Sequence, residues 1–268
     1  MRIVTLALCA VLLAALAGNL GKRLLRTREG AASPVVDCVV EPVGVDLQTR
    51  SLLADVTVTL KDWEEKPALL LEAGETSAEF PLTAAENGVF IGSVAVPLEP
   101  LSGFQLYLTA EKYGQALIRE RLGRWNHIST LLPLRMTSSG YSDPQYQDGT
   151  FQMTGWASAE IASQDRDDIE VDAPEFRLYR NGELLRTVPG ERDWNVIGKA
   201  EADGYIPEEQ EDWTVDCGKG DQVMLTFACR GENGLGWEFT IAHFQVKDGD
   251  VETVRLDEDI DPILTWPE

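Results

Sequence analysis

From Val35 onward the apolar residues of this chain recur at every second position. In Ala54-Asp55-Val56-Thr57-Val58-Thr59-Leu60 each apolar side chain is followed by a polar one, the pattern of a strand with one face buried and one face wet. Ala68 to Leu71, Ala78 to Leu82, Val89 to Val96, Phe104 to Ala110 and Ala116 to Leu122 are further strand candidates, separated by short turns. No long segment of this region holds a helical period, so the pattern predicts an all-β fold of antiparallel strands packed as sandwiches.

The N-terminus obeys another rule. Residues 3–20, IVTLALCAVLLAALAGNL, carry no charge and are followed by Lys22, Arg23, Arg26 and Arg28. Eighteen helical residues rise about 27 Å, enough to cross a thin hydrocarbon core with the flanking cations reaching back to the interface. Ala15-Leu16-Ala17 offers a cleavage site before Gly18, but the apolar run continues to Leu20 and the basic patch would hinder export. Leu8, before Cys9, is too large for a lipidation motif. The expectation is a transmembrane anchor or signal segment over residues 1–28, read as an uncleaved anchor, and a linker over 29–34.

The charge balance narrows the partners. The chain carries −22 overall, while residues 1–29 hold five basic groups against one acid, so the remainder stands at −26. Such a surface repels phosphate backbones and excludes nucleic acid as a partner. The chain is expected to contact a membrane through residues 3–20 and a protein partner through the rest, without a cofactor. The positive-inside rule would put the C-terminal side in the cytoplasm. The strand pattern is that of surface modules, and the bulk of the chain is expected outside a bacterial cell membrane as a single-pass envelope protein.

Leu98, Pro100, Ser102, Phe104, Leu106, Leu108 and Ala110 alternate in register and are followed by Gly114. This stretch resembles the corner and F strand of fibronectin type III domains, with Phe104 where the family places its corner tyrosine. The resemblance implies an immunoglobulin-like sandwich. Gly103, Gln105, Leu106, Leu108 and Thr109 are matched further on by Gly220, Gln222, Val223, Leu225 and Thr226, each set leading to a turn and another strand. That recurrence predicts two tandem sandwiches, over residues 35–125 and 126–268. In the second, Phe151 to Ile161 reads as one strand, and Asn181-Gly182 joins Phe176–Arg180 to Leu184–Val188 through a type I′ turn. Trp213 to Cys217 and Trp237 to Val246 read as strands, and Glu201 to Asp212 as an acidic exposed loop.

Chemistry leaves few traces. No nucleophile elbow, zinc-binding helix or phosphate loop is present, and a non-enzymatic interaction or spacer module is expected. His243 continues the alternation of Trp237, Phe239 and Ile241 and reads as a packed or edge imidazole. Cys217 and Cys229 lie too far apart along the chain for a bridge and read as buried thiols; the pairing state of Cys38 is left open. Asp165, Asp167 and Asp168 are the best metal candidates, because calcium needs several oxygens, but Arg166 intrudes and no glycine turns the loop, so a solvated acidic loop without a metal is expected. A carbohydrate-binding alternative rests on Trp63 and Trp156, whose ring faces could stack on sugars. A hydrolase built on a carboxylate pair is the third reading, with no pair to nominate.

Overall fold

A computed structural model describes residues 33–61, 66–99, 103–112, 115–163, 171–193, 202–208, 212–231, 233–254 and 261–267. The anchor segment over residues 3–20, with Lys22, Arg23, Arg26 and Arg28, lies outside the described residues, as do Trp63, Asp165, Asp167 and Asp168. No helix among the described residues is long and apolar enough to cross a membrane. The one helical element there is a single 3₁₀ turn, Ser129–Leu131.

The first eight strands are β1 (Val35–Asp46), β2 (Ser51–Leu60), β3 (Pro67–Ala73), β4 (Thr76–Pro81), β5 (Thr83–Ala84), β6 (Val89–Pro97), β7 (Phe104–Lys112) and β8 (Gln115–Trp125). They form two four-stranded antiparallel sheets, ordered β1-β2-β6-β5 and β4-β3-β7-β8. Alternate residues point between the sheets: Leu52, Ala54, Val56 and Val58 from β2 meet Leu69, Leu71, Leu106 and Leu108 from the facing sheet, all fully buried. Phe104 is buried at the start of β7 and stacks on Trp125 with ring centroids 4.6 Å apart. A side chain at Gly123 would collide with the Trp125 ring, so glycine there lets the indole fold back across its own strand.

The remaining strands are β9 (Leu134–Tyr141), β10 (Pro144–Gln147), β11 (Thr150–Met153), β12 (Ala157–Ser163), β13 (Asp172–Arg180), β14 (Glu183–Arg192), β15 (Ala202–Pro207), β16 (Trp213–Asp216), β17 (Gln222–Arg230), β18 (Gly236–Lys247), β19 (Asp250–Thr253) and β20 (Ile263–Thr265). A small sheet, β10-β11-β16, faces a large one, β19-β18-β17-β13-β14-β15-β12-β9, with β20 also on β18. Among the described residues no sheet mixes strands from before and after Trp125. The order β14-β13-β17-β18 repeats β4-β3-β7-β8, so the sequence recurrence reappears as the same placement of strands. Arg50 lies 5.5 Å over the Trp266 ring, joining the first sheet pair to the C-terminal segment.

Three sequence expectations are corrected here. The single strand expected over Phe151 to Ile161 is two: the chain turns at Thr154-Gly155-Trp156, with Gly155 at φ +112°, and passes from the small sheet to the large one. Strands that change sheets at such corners close the end of a sandwich. The loop expected over Glu201 to Asp212 contains the buried strand β15. It lies between β14 and β12 and is covered on both faces, which suppresses the alternation that would have revealed it. Asp203 on β15 is only 5% exposed and accepts a hydrogen bond from Arg192 of β14. Finally, a bulge at Ile241 reverses the phase of β18, so Phe244 and Val246 enter the core while His243 turns to the outer face. The Asn181-Gly182 turn is as expected, with φ of 50° and 81°.

If β15 is a buried strand, Arg192→Met leaves the Asp203 carboxylate enclosed without its counter-charge. A loss of about 3 kcal/mol in urea denaturation is expected; an exposed loop would lose almost nothing.

Candidate functional site

The outer face of the large sheet carries the most organised polar cluster. On β13 the core-facing Phe176 and Leu178 alternate with Glu175, Arg177 and Tyr179, which point outward. Thr226 of β17 stands opposite Arg177, and Ala228 stands between Glu175 and Glu238 of β18. Arg177 Nη1 donates to Glu238 Oε2 at 2.9 Å, while Nη2 and Nε donate to Glu175 Oε2 at 2.9 and 3.1 Å. Thr226 Oγ1, fully buried, donates to Glu238 Oε1 at 2.6 Å. Both oxygens of Glu238 are therefore engaged, and one guanidinium bridges two carboxylates.

Glu175, Arg177 and Glu238 line a groove of about 740 Å³, open along one side. Its far wall is the C-terminal segment, Thr265, Trp266 and Pro267. Gly236 lets that segment approach, since a Cβ there would lie 3.1 Å from Thr265 Cβ. At the other end Ala173, at φ 47°, and Pro174 form a bulge between the pairs Asp172–Arg230 and Glu175–Ala228 of β13 and β17.

The electrostatics follow from this packing. Burial works to lower the Arg177 pKa, but the Glu175 hydrogen bond and the Glu238 charge outweigh it, and the guanidinium is held more firmly protonated than usual. Burial, then the hydrogen bond and charge of Glu238, push the Tyr179 phenol up. Cys229, on the core side of the groove, is pushed up to about 12 by burial. Cys217 is raised by burial and then by Asp221, and Cys38 by burial and then by Asp37. All three thiols are free, as read for Cys217 and Cys229. Thiols raised in this way are poor nucleophiles at neutral pH. Among the described residues no three of His, Cys, Asp and Glu converge as a metal site.

Of the sugar-binding candidates, Trp156 is the one the described residues include. It sits at the corner between β11 and β12 and is 51% exposed, with its ring laid over Gly140 of β9, where any side chain would collide with it. Ser142 donates to its carbonyl from both N and Oγ, at 3.0 and 3.2 Å. It is not part of the groove lining. The tryptophan that does line the groove, Trp266, was missed by sequence reasoning, as were Glu175, Arg177 and Glu238. The run Ile263-Leu264-Thr265 and the alternation Glu175-x-Arg177-x-Tyr179 were the signals available.

Comparison with protein-family profiles and with curated proteins gives no match. Among solved structures the chain resembles the adhesin InvE of Yersinia pseudotuberculosis at TM-score 0.26 and 11% identity, over 83% of this chain and 75% of that one. It resembles the receptor tyrosine kinase Torso at 0.23 and 10%, over 85% and 87%. For the maltogenic amylase from S. marinus the values are 0.21 and 8%, over 81% of this chain and 31% of that one. Scores this low carry no argument about function or a shared fold.

Two outcomes check the site. Arg177→Met strands the Glu238 carboxylate and is expected to cost about 3 kcal/mol, whereas Glu238→Gln keeps the shape and costs about 1 kcal/mol, both by denaturant titration. The raised thiol of Cys229 favours the folded state fully below its ordinary value of 9.0, and that contribution is lost as pH rises towards about 12. Stability should therefore fall across this alkaline window, less steeply in Cys229→Ala, and iodoacetamide should reach Cys229 only after unfolding.

Proposed function

We propose that this chain is a membrane-anchored, non-enzymatic protein of a bacterial envelope whose two tandem immunoglobulin-like sandwiches serve as a protein-interaction or spacer module. The strand orders β1-β2-β6-β5 and β4-β3-β7-β8 support the immunoglobulin-like assignment, since they correspond to A-B-E-D against C-F-G with one added strand. The apolar run over residues 3–20 supports the anchor.

The observation that carries the interaction reading is the free edge of the first sheet. Among the described residues β1 pairs with β2 alone, and it exposes Val36 (64%), Val39 (41%) and Val43 (59%) along its length. Monomeric sheets blunt their edges with charge, proline or bulges. β1 carries these devices, with Asp37, Glu41 and Pro42 and bulges at Val36 and Val43, and still turns three valines to solvent between them. The bulges and Pro42 interrupt a continuous ladder, so such an edge is suited to side-chain contact through its valines and carboxylates.

Membrane fractionation of the full chain, with proteinase added to intact cells, tests the placement. The chain should sediment with membranes and lose everything after Arg28 to external proteinase; a soluble chain, or protection until lysis, would contradict it. A second reading, sugar binding at Trp156, has its half-exposed ring in its favour. Glycan-array binding abolished by Trp156→Ala would promote it.

A further inference from the structure

Of the four edge strands of the first sandwich, β1 and β8 differ in charge. On β1 the outward residues Asp37 and Glu41 flank Val39, and Glu41 stands directly opposite Asp55 of β2, two exposed carboxylates in one cross-strand pair. Like charges so placed destabilise each other, and a cation alongside would relieve them. On β8 the outward residues are Arg119, Arg121 and Arg124, opposite Thr109, Tyr107 and Gln105 of β7. Arg119 pairs with Glu72 at 2.5 Å and lies 4.5 Å over the Tyr107 ring. Arg121 and Arg124 are exposed and make no ion pair among the described residues. In a chain of charge −22 this is an unusual concentration of cations.

Two further facts limit what could cover these edges. They lie on the same side of the sandwich, because Ser33, which leads into β1, donates a hydrogen bond to Glu120 of β8. They also run in the same direction: β1 is antiparallel to β2 and β8 to β7, and the pairings β1-β2 and β3-β7 place the beginnings of β1 and β8 at one end. Asp37 to Glu41 spans about 13 Å and Arg119 to Arg124 about 17 Å at roughly 3.3 Å per residue, so the two charged stretches are of similar length.

We propose that the occupant is a second copy of this chain, in a two-fold dimer whose axis runs parallel to the strands, so that the acidic β1 edge of each copy lies beside the basic β8 edge of the other. This rests on the reading of the β1 edge as an interaction surface. A two-fold axis across the strands would set β1 against β1 and β8 against β8, placing like charges together; the axis along the strands makes both contacts complementary at once. It also leaves both N-termini at the same end, as two chains anchored in one membrane require. Val36 and Val43 then lie at the contact, where their exposure becomes burial.

Charge reversal of the full chain in detergent is the test, with protein mass read by light scattering at about 100 μM. The wild type should be a dimer. Asp37→Lys with Glu41→Lys makes both edges basic, and Arg121→Glu with Arg124→Glu makes both acidic while keeping the Arg119 to Glu72 pair. Each double variant alone should weaken the dimer by roughly tenfold or more, and mixing the two should restore a dimer containing one of each, which also shows that both are folded. A monomeric wild type, a dimer indifferent to both reversals, or a mixture that stays monomeric would each overturn the proposal. None of these outcomes bears on the anchor, which the fractionation reads separately.

Discussion

The register shared by β13, β17 and β18 is the constraint on which the rest of the C-terminal half depends. Phe176, Phe227 and Phe239 form one cross-strand row on the inner face, and Phe176 meets Phe227 edge to face with ring centroids 5.3 Å apart. One residue along, the same register turns Arg177, Thr226 and Glu238 to the outer face, where they bond to one another. A slip of a single residue would carry the phenylalanines into water and the charges into the core. Each buried phenylalanine is worth about 3–5 kcal/mol against alanine, so the core sets the register and the polar cluster inherits its geometry.

That dependence explains the character of the groove. A guanidinium between two carboxylates, with one carboxylate also held by a buried hydroxyl, is rigid and satisfied. Its arginine is already engaged by both carboxylates. Such a cluster shapes and positions a surface, and Trp266 and the C-terminal segment complete the wall. The N-terminal sandwich is different: its core is mostly an aliphatic alternation, closed at one end by the Phe104–Trp125 stack, and bulged valines and unlike charges face solvent at its edges.

Much of this was legible in the sequence wherever one face of a strand is wet. The alternation in β2, β3, β6 and β7 marks strands with an inner and an outer side, and the hairpin turn at Asn181-Gly182 follows from two residues that tolerate positive φ. The signal fails where both faces are covered. Ala202 to Pro207 shows no period because residues on both of its faces are buried, and its acidic neighbours suggested a loop. It also fails where the phase changes: the bulge at Ile241 and the corner at Gly155 each break a run that local pattern reads as continuous. The groove was hidden because its members are far apart in sequence, with Glu175 and Arg177 on one strand, Glu238 two strands away and Trp266 at the end of the chain. Ordinary surface alternation supplied each of them, and only the strand order brings them together.

The most direct measurement is the set of cross-strand Hα and amide NOEs across β13, β17 and β18. They should pair Phe176 with Phe227 and Phe227 with Phe239, and shift by one residue beyond the bulge so that Val223 pairs with Phe244. A set displaced by one residue in either pair, or one without the shift at Ile241, would contradict the single register that places both the core and the groove.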